Sequence, residues 1–435
     1  MKDTARVILW GSDIGAVTWL PERGIGVFQY TPEFAQSGIE VAPLMMPLTD
    51  APYGFPSLSK ETFKGLPGLL ADSLPDKFGS ILINAWLSRR GRDPGSFTPV
   101  ERLCYTGTRG MGALEFKPLM SDAPAVSRKV EIDALVDLAN RVLDDRIALK
   151  GKFNGVDDQR SIEDILRVGT SAGGARAKAV LAWNPQTGEF RSGQAPADRG
   201  FGHWLLKFDG VHGNRDREVA DPQGFGRIEY AYYLMAREAG IDMQECRLHE
   251  EGGRAHFMTK RFDRTETGQK LHMQSLGALM HYDFNIAGLY AYEQAIQAIR
   301  RLGLGMADTE QQVRRAYFNV VARNQDDHVK NIAFLMDRRG TWRLSPAFDI
   351  AYSYNPSGAW TGQHQMSLNG KRDGFDIDDL IAFAGVSGIK NTKAKAILSE
   401  VTSAVSSWRR FAEDAGMPET DIDRIEQTQR RHLFV

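Results

Sequence analysis

Cysteine is nearly absent from this chain of 435 residues: two occur, Cys104 and Cys246, with no CxxC pair and no Cys/His cluster. That argues against both a disulfide framework and a structural zinc site. An excess of charge of either sign is missing too, since 54 Lys and Arg face 55 Asp and Glu for a formal net charge of -1. A chain built to hold nucleic acid through a bulk positive field would be basic, so only local basic patches are left for that role. No apolar run reaches the roughly 18 residues that span a bilayer. The opening Met1-Lys2-Asp3-Thr4-Ala5-Arg6 has no apolar core behind it, so no signal peptide is expected. What is there is ordinary for a globular chain, 42% hydrophobic and 25% charged. The expectation is a cytoplasmic protein of two or three domains, light in cofactors and without a membrane partner.

Short β-like runs open the sequence at 7–10, 16–20 and 26–30, separated by Gly- or Pro-containing breaks. The pattern then turns helical over 78–89, where Arg89-Arg90-Gly91 closes the run, and again over 130–145. Residues 146–200 read as a helix at 162–168, a Gly-rich loop at 169–176, and a hairpin from Ala179–Trp183 to 188–191 around Asn-Pro-Gln-Thr. A strand at 203–208, a helix at 227–239 and a hairpin from 246–249 to 256–259 follow. Beyond about 265 the reading is mostly helical, with helices at 293–303, 309–323, 392–414 and 420–432, and one hairpin from 332–336 to 342–344. The fold class expected is α+β, with a β-rich N-terminal part and a mainly α-helical C-terminal part. Its three segments are 1–125, a β-rich 126–262, and a helical 263–435.

The densest polar cluster is Asn324-Gln325-Asp326-Asp327-His328-Val329-Lys330-Asn331, between a strong helix and a hairpin. Ser345-Pro346-Ala347-Phe348-Asp349 stands at the end of that hairpin. Phosphoryl transfer needs one carboxylate to take the proton of the attacking hydroxyl, and an amide and a second carboxylate to hold Mg²⁺ against the phosphates. Asp326, Asn331 and Asp349 are residues of those types in that order. A polar turn whose Asp and Asn cap helices would use the same residues, but eight clustered positions with Asp349 behind them favour a site.

A second cluster is Gly169-Thr170-Ser171-Ala172-Gly173-Gly174-Ala175-Arg176-Ala177-Lys178, small residues that let backbone N–H groups approach phosphate oxygens, with a lysine at the far end. It lacks the Walker pattern and the GxGxxG of kinases, and a flexible turn would look alike. It also fits GxSxG, which would make Ser171 a hydrolase nucleophile. That motif needs a strand before the serine and a helix after it, and here the order is reversed. Lys207 lies in an apolar strand and Glu229 on an amphipathic helix, the pair with which kinases orient a lysine on the α/β-phosphates; a snorkelling lysine and a solvated glutamate are the simpler account. Thr259-Lys260-Arg261-Phe262-Asp263-Arg264 marks the junction of the two parts, where backbone groups can pair with an adenine edge. The order of these features is a kinase order, which would put ATP between the β-rich and helical parts.

With these residues in place, the sequence resembles the HipA family of bacterial Ser/Thr kinase toxins. The resemblance runs through Leu70-Ala-Asp-Ser-Leu-Pro-Asp-Lys-Phe-Gly79, Gly110-Met-Gly-Ala-Leu114, 171–178, Lys207-Phe208, 260–264, and above all N-x-D-D-H-x-K-N with a downstream S-P-x-[FY]-D. It implies a bilobal, kinase-like fold in which 126–262 binds ATP and 263–435 is catalytic, with Asp326 as catalytic base, and Asn331 and Asp349 as Mg²⁺ ligands. His328 and Lys330 would touch phosphates or steady their loop. Gly173, Gly174, Ala175, Arg176, Ala177 and Lys178 would cover the nucleotide, Lys207 would bind phosphate with Glu229 orienting it, and Lys260, Arg261 and Phe262 would form the adenine hinge. Phe348 would pack near the nucleobase or ribose, and Ser171 takes the place of an inactivating autophosphorylation serine. Two departures stand out: Lys260 where the family often has Glu, and Gly-Ala-Arg-Ala-Lys for Gly-Ala-Gln-x-Lys.

The resemblance also implies ATP and Mg²⁺, a small helix-turn-helix antitoxin of HipB type as partner, and operator DNA met mainly through that antitoxin. It further implies a protein substrate such as an aminoacyl-tRNA synthetase, the glutamate enzyme being the family precedent. Lys371-Arg372 would be a local DNA contact or, more simply, a solvated turn. Two other readings stay open: a small-molecule or lipid kinase of related fold, and a non-catalytic corepressor of a helix-turn-helix partner.

Overall fold

The computed structural model describes residues 3–120, 129–145, 176–193, 199–211, 215–216, 219–220 and 224–433. The chain packs into two compact units. One comprises 1–223, 249–274 and 336–341, and the other 224–248, 275–335 and 342–435. The 126–262 segment expected from the sequence thus gives its helix Phe225–Glu238 to the second unit.

The first unit opens on a four-stranded antiparallel sheet. Its strands are Ile25–Tyr30, Ser12–Leu20, Thr4–Leu9 and Leu114–Lys117, in that spatial order. Alternation sets the buried face: Ala5, Val7 and Leu9 are inside while Thr4 and Arg6 face solvent. A register break between Val7 and Ile8 adds Ile8 to the core. Trp10 and Gly11 form a two-residue turn with both φ angles positive, 51° and 90°. That is the hairpin turn whose twist suits a strand pair. Gly15 is needed where it stands, because a Cβ there would collide with the Gln29 carbonyl oxygen and the Phe28 ring.

The second sheet runs Cys246–Glu251, Arg254–Lys260, Gly202–Lys207, Lys178–Trp183, Phe190–Ser192. Its interior strand Lys178–Trp183, between Gly202–Lys207 and Phe190–Ser192, is buried at every position but the last, the signature of a strand covered on both faces. The helices Lys77–Arg89 and Ile132–Asp145 contribute Phe78, Leu82, Leu135 and Val136 to the core around Ala179, Leu181, Leu206 and Met258. The stripe at 132, 135, 136 and 139 is a helical period, so the sheet's core selects this helix face.

The second unit is mainly helical. Met306–Val321 lies at its centre, burying Val313, Ala316, Tyr317, Phe318 and Val320, with the Tyr317 hydroxyl donating to Leu380 O at 2.7 Å. Around it stand Phe225–Glu238, Tyr292–Arg301, Ile377–Val386, Asn391–Ser406, Trp408–Asp414 and Glu419–Glu426. The helix expected over 392–414 is two helices, broken at Ser407, whose hydroxyl turns back to Ser403 O. The one expected over 420–432 stops at Glu426, because the following residues are drawn inward and Arg430 N–H bonds Val321 O at 2.9 Å. Among the described residues no helix is long and apolar enough to cross a membrane.

Candidate active site

The 324–331 loop leaves the Met306–Val321 helix through Arg323, a non-glycine residue at φ 59°. It ends in a single 3-10 turn, Val329–Asn331, before the strand Ala333–Met336. Its first residue is tied back to the helix, with Asn324 Nδ2 donating to Asn319 Oδ1 at 2.9 Å. Asp326 is partly exposed. Its Oδ1 accepts from Trp360 Nε1 at 2.8 Å, and His328 Nε2 stands 3.8 Å from the same oxygen. Asn331 closes the loop on itself by donating from Nδ2 to Asp326 O at 2.9 Å. With the nitrogen so engaged, the amide oxygen is the atom left to meet a cation.

Asp349 follows the strand Trp342–Leu344 and adopts φ 52°, between half-buried Phe348 and buried Ile350. A left-handed aspartate outside a turn is uncommon and is held by what surrounds it: Ala347 N–H bonds Asp242 O at 2.8 Å, and Ser345 O accepts from Arg315 Nη2 at 2.7 Å. Among the described residues no cluster of three or more His, Cys, Asp or Glu could by itself hold a metal. Asn331 and Asp349 are nonetheless a fitting donor set for Mg²⁺, which takes oxygen ligands and completes its shell with phosphate oxygens and water. His328 packs against Phe284, ring centroids 5.7 Å apart, and Lys330 Nζ lies over the same ring at 4.9 Å. Both therefore steady the loop through an aromatic residue that the sequence alone did not single out.

The nucleotide-facing residues expected in the first unit fare differently from one another. Ser171, Gly173, Gly174 and Ala175 lie outside the described residues. Arg176 and Ala177 lead into the strand that Lys178 begins. Lys178 is buried, its Nζ 3.6 Å from Asp76 Oδ2, while Asp76 Oδ1 caps the Lys77–Arg89 helix by accepting from Gly79 N at 2.6 Å. Removing this carboxylate costs a cap and half of a buried pair. Asp76→Ala is expected to lower stability by about 2 kcal/mol; an unchanged denaturant midpoint would contradict the pairing. Lys207 reaches over the Phe257 ring at 5.7 Å, while Glu229 is buried on Phe225–Glu238 in the second unit. Lys260 pairs with Glu266 at 2.8 Å.

Arg261 is engaged within the chain. Its guanidinium grips Asp263 with Nε on Oδ1 at 2.8 Å and Nη2 on Oδ2 at 2.7 Å, and its backbone N–H bonds His203 O at 2.9 Å. Arg264 Nη1 and Gly112 N–H take the same Oδ2. The buried carboxylate and the sheet thus engage both the side chain and the N–H of Arg261. In the chain Phe262 stands between Arg261 and Asp263. Lys371 pairs with Asp379 Oδ2 at 2.6 Å, and Arg372 Nε donates to His364 O at 2.6 Å; both hold the chain together.

Sequence reading missed the group behind the loop. Asp327 is buried and accepts three bonds: Tyr292 Oη at 2.6 Å and His364 Nδ1 at 2.7 Å on Oδ2, and Gln365 N–H at 2.7 Å on Oδ1. Burial alone would raise its carboxyl, but His364, Tyr292 and the amide outweigh it and hold the group below the ordinary carboxylate value. The visible signal was the doubled Asp-Asp, of which one had to turn inward.

An α+β chain with such a loop and such an aspartate after a hairpin is of the kinase-like class. Residues 5–117 match the HipA N-terminal domain and residues 170–408 the HipA-like C-terminal domain, and the chain belongs to the HipA family. A protein of Sinorhizobium fredii that bears the name "Putative kinase Y4dM" is 28% identical over 171 residues, 36% of this chain. The match spans 38% of that relative's own length. A Haemophilus influenzae protein named "Putative kinase" is 21% identical over 234 residues, covering 47% of this chain and 68% of its own. Among solved structures, HipA of Shewanella oneidensis, from a complex with HipB and operator DNA, superposes with a TM-score of 0.66 at 15% identity. The superposition covers 99% of this chain and 96% of that one, a likeness of fold.

Proposed function

We propose that this chain is a protein Ser/Thr kinase of the toxin–antitoxin type, moving the γ-phosphate of ATP to a protein hydroxyl. The observation that carries the reading is the 324–331 loop, where Trp360 fixes the plane of the Asp326 carboxylate and Asn331 is clamped to the carbonyl of that same residue. Asp326 receives the proton of the substrate hydroxyl, and its part-exposed carboxylate suits that role. Mg²⁺, held by Asn331 and Asp349, would neutralise charge on the phosphate oxygens. Lys207, Lys178 and the small residues before it bind the phosphates, and the 260–262 backbone faces the base. Ser171 is the self-modification site, where a phosphate adds about -1.5 to -2 charges to a loop that must cradle ATP. A HipB-like helix-turn-helix antitoxin restrains the kinase and carries most contact with operator DNA; the engagement of Lys371 by Asp379 supports that division. An aminoacyl-tRNA synthetase, as in the family precedent, is the substrate class to try first.

Calorimetry of ATP binding with and without Mg²⁺ tests the assignment. The wild-type chain is expected to bind more tightly with the metal, and Asp349→Asn to lose at least about 10-fold of that metal-dependent affinity. Equal affinity with and without Mg²⁺ in both proteins would overturn it.

A further inference from the structure

The bonds behind Asp327 run on to the far end of the chain. His364 Nε2 lies 3.0 Å from Arg430 Nη1, and Arg430 comes from the segment that follows the last helix. A guanidinium has only hydrogens to give, so Nε2 must accept. The ring therefore carries its hydrogen on Nδ1 and donates it to Asp327 Oδ2, 2.7 Å away. Arg430 is itself fixed by the Val320 carbonyl, 2.6 Å from Nη1, and by the Asp373 carboxylate, which Arg323 also meets at 3.4 Å. On the other side, the Tyr292 hydroxyl that donates to Asp327 accepts from Asn319 Nδ2 at 2.9 Å, and Asn319 Oδ1 accepts from Asn324 at the start of the loop. Asp327, His364, Tyr292 and Arg430 are all buried. Between the Met306–Val321 helix and the Val329–Asn331 turn the loop has no regular structure, so this chain of bonds fixes where the backbone at Asp326 lies.

We propose that His364 and Arg430 are positioning residues for Asp326, through which the C-terminal segment sets the geometry of phosphoryl transfer. The inference rests on the kinase reading and deepens it. Misplacing a reacting group by about 1 Å can cost on the order of 10²-fold in rate, while phosphate binding by residues elsewhere is untouched. The carboxamide nitrogen of asparagine can stand where Nδ1 stands, which provides a rescue.

The test is phosphate incorporated per full-length chain, followed by intact mass across a range of Mg-ATP concentrations, for wild type, His364→Leu, His364→Asn and Arg430→Lys. His364→Leu should lower the maximal rate about 100-fold with the half-saturating Mg-ATP concentration unchanged, and His364→Asn should restore most of it. Arg430→Lys, which keeps charge and donor, should fall between. A folded His364→Leu working at the wild-type rate would overturn the proposal. So would His364→Asn and His364→Leu slowed equally, since the bond to Asp327 would then not matter. If His364→Leu fails to fold, Arg430→Lys decides: a slowed maximal rate at unchanged half-saturation, with His364→Asn close to wild type, supports positioning, and a wild-type rate or raised half-saturation alone overturns it. A wild-type chain that binds no Mg-ATP would instead remove the kinase reading, and this inference with it.

Discussion

Asp326→Asn is expected to abolish phosphoryl transfer, with a rate loss of at least about 10³-fold, while leaving the fold and Mg-ATP binding intact. Positioned proton acceptors contribute roughly 10²- to 10⁴-fold, and an amide cannot take a proton at neutral pH. The substitution keeps the shape of the side chain, and its carboxamide oxygen can still accept from Trp360 Nε1, which bonds Oδ1 at 2.8 Å. The loop should therefore stay in place, because its anchor is the neighbouring Asp327 with its three donors. Loss of transfer with unchanged unfolding is the signature of a reacting group. A comparable loss of stability would assign Asp326 to the scaffold.

The largest structural effect is expected at Asp263. Its buried carboxylate joins Arg261, Arg264 and the Gly112 amide, and so pins the 110–112 turn to the end of the Arg254–Lys260 strand. Asp263→Ala leaves two buried guanidiniums facing each other without a counter-charge. Breaking a buried pair from one side costs about 3–5 kcal/mol, enough to bring the chain close to unfolding. Burial of Asp263 would raise its carboxyl, but Arg261 and Arg264 hold it well below the ordinary range. Burial and the neighbouring Arg261 bring Arg264 down to about 10. A depressed carboxyl contributes stability above its unfolded value of about 3.9 and loses it as pH falls toward the folded value. Urea unfolding of wild type and Asp263→Asn should therefore differ most near neutrality and converge in acid. A difference independent of pH would contradict the charged triad.

Much of this was legible in the sequence. Short β-like runs between Gly- or Pro-containing breaks marked most strands of these two sheets, though not Leu114–Lys117, and the amphipathic stripe around Leu135 and Val136 marked a helix that the second sheet indeed covers. The polar cluster at 324–331 stood out because seven of its eight positions are polar, between a helix and a hairpin. The Thr98–Glu101 capping box was equally readable and was passed over. What could not be read is whatever depends on distant partners. Arg261 and Arg264 look like hinge charges until Gly110 and Gly112, some 150 positions away in sequence, are seen beside them. Asp327 looks like one more member of the polar cluster until His364 is seen against it. The residues after Glu426 continue a helical period, yet Arg430 ends it by bonding Val320, a tertiary preference that no local pattern encodes.

The most direct test of the central claim is intact mass after incubation with Mg-ATP, run on wild type and Asp326→Asn, with ATP binding measured on both. The account predicts a gain of one phosphate on the wild type alone, mapping to Ser171, and Mg-ATP bound by both proteins. An equal gain on both, or a wild-type chain that binds no Mg-ATP, would contradict it.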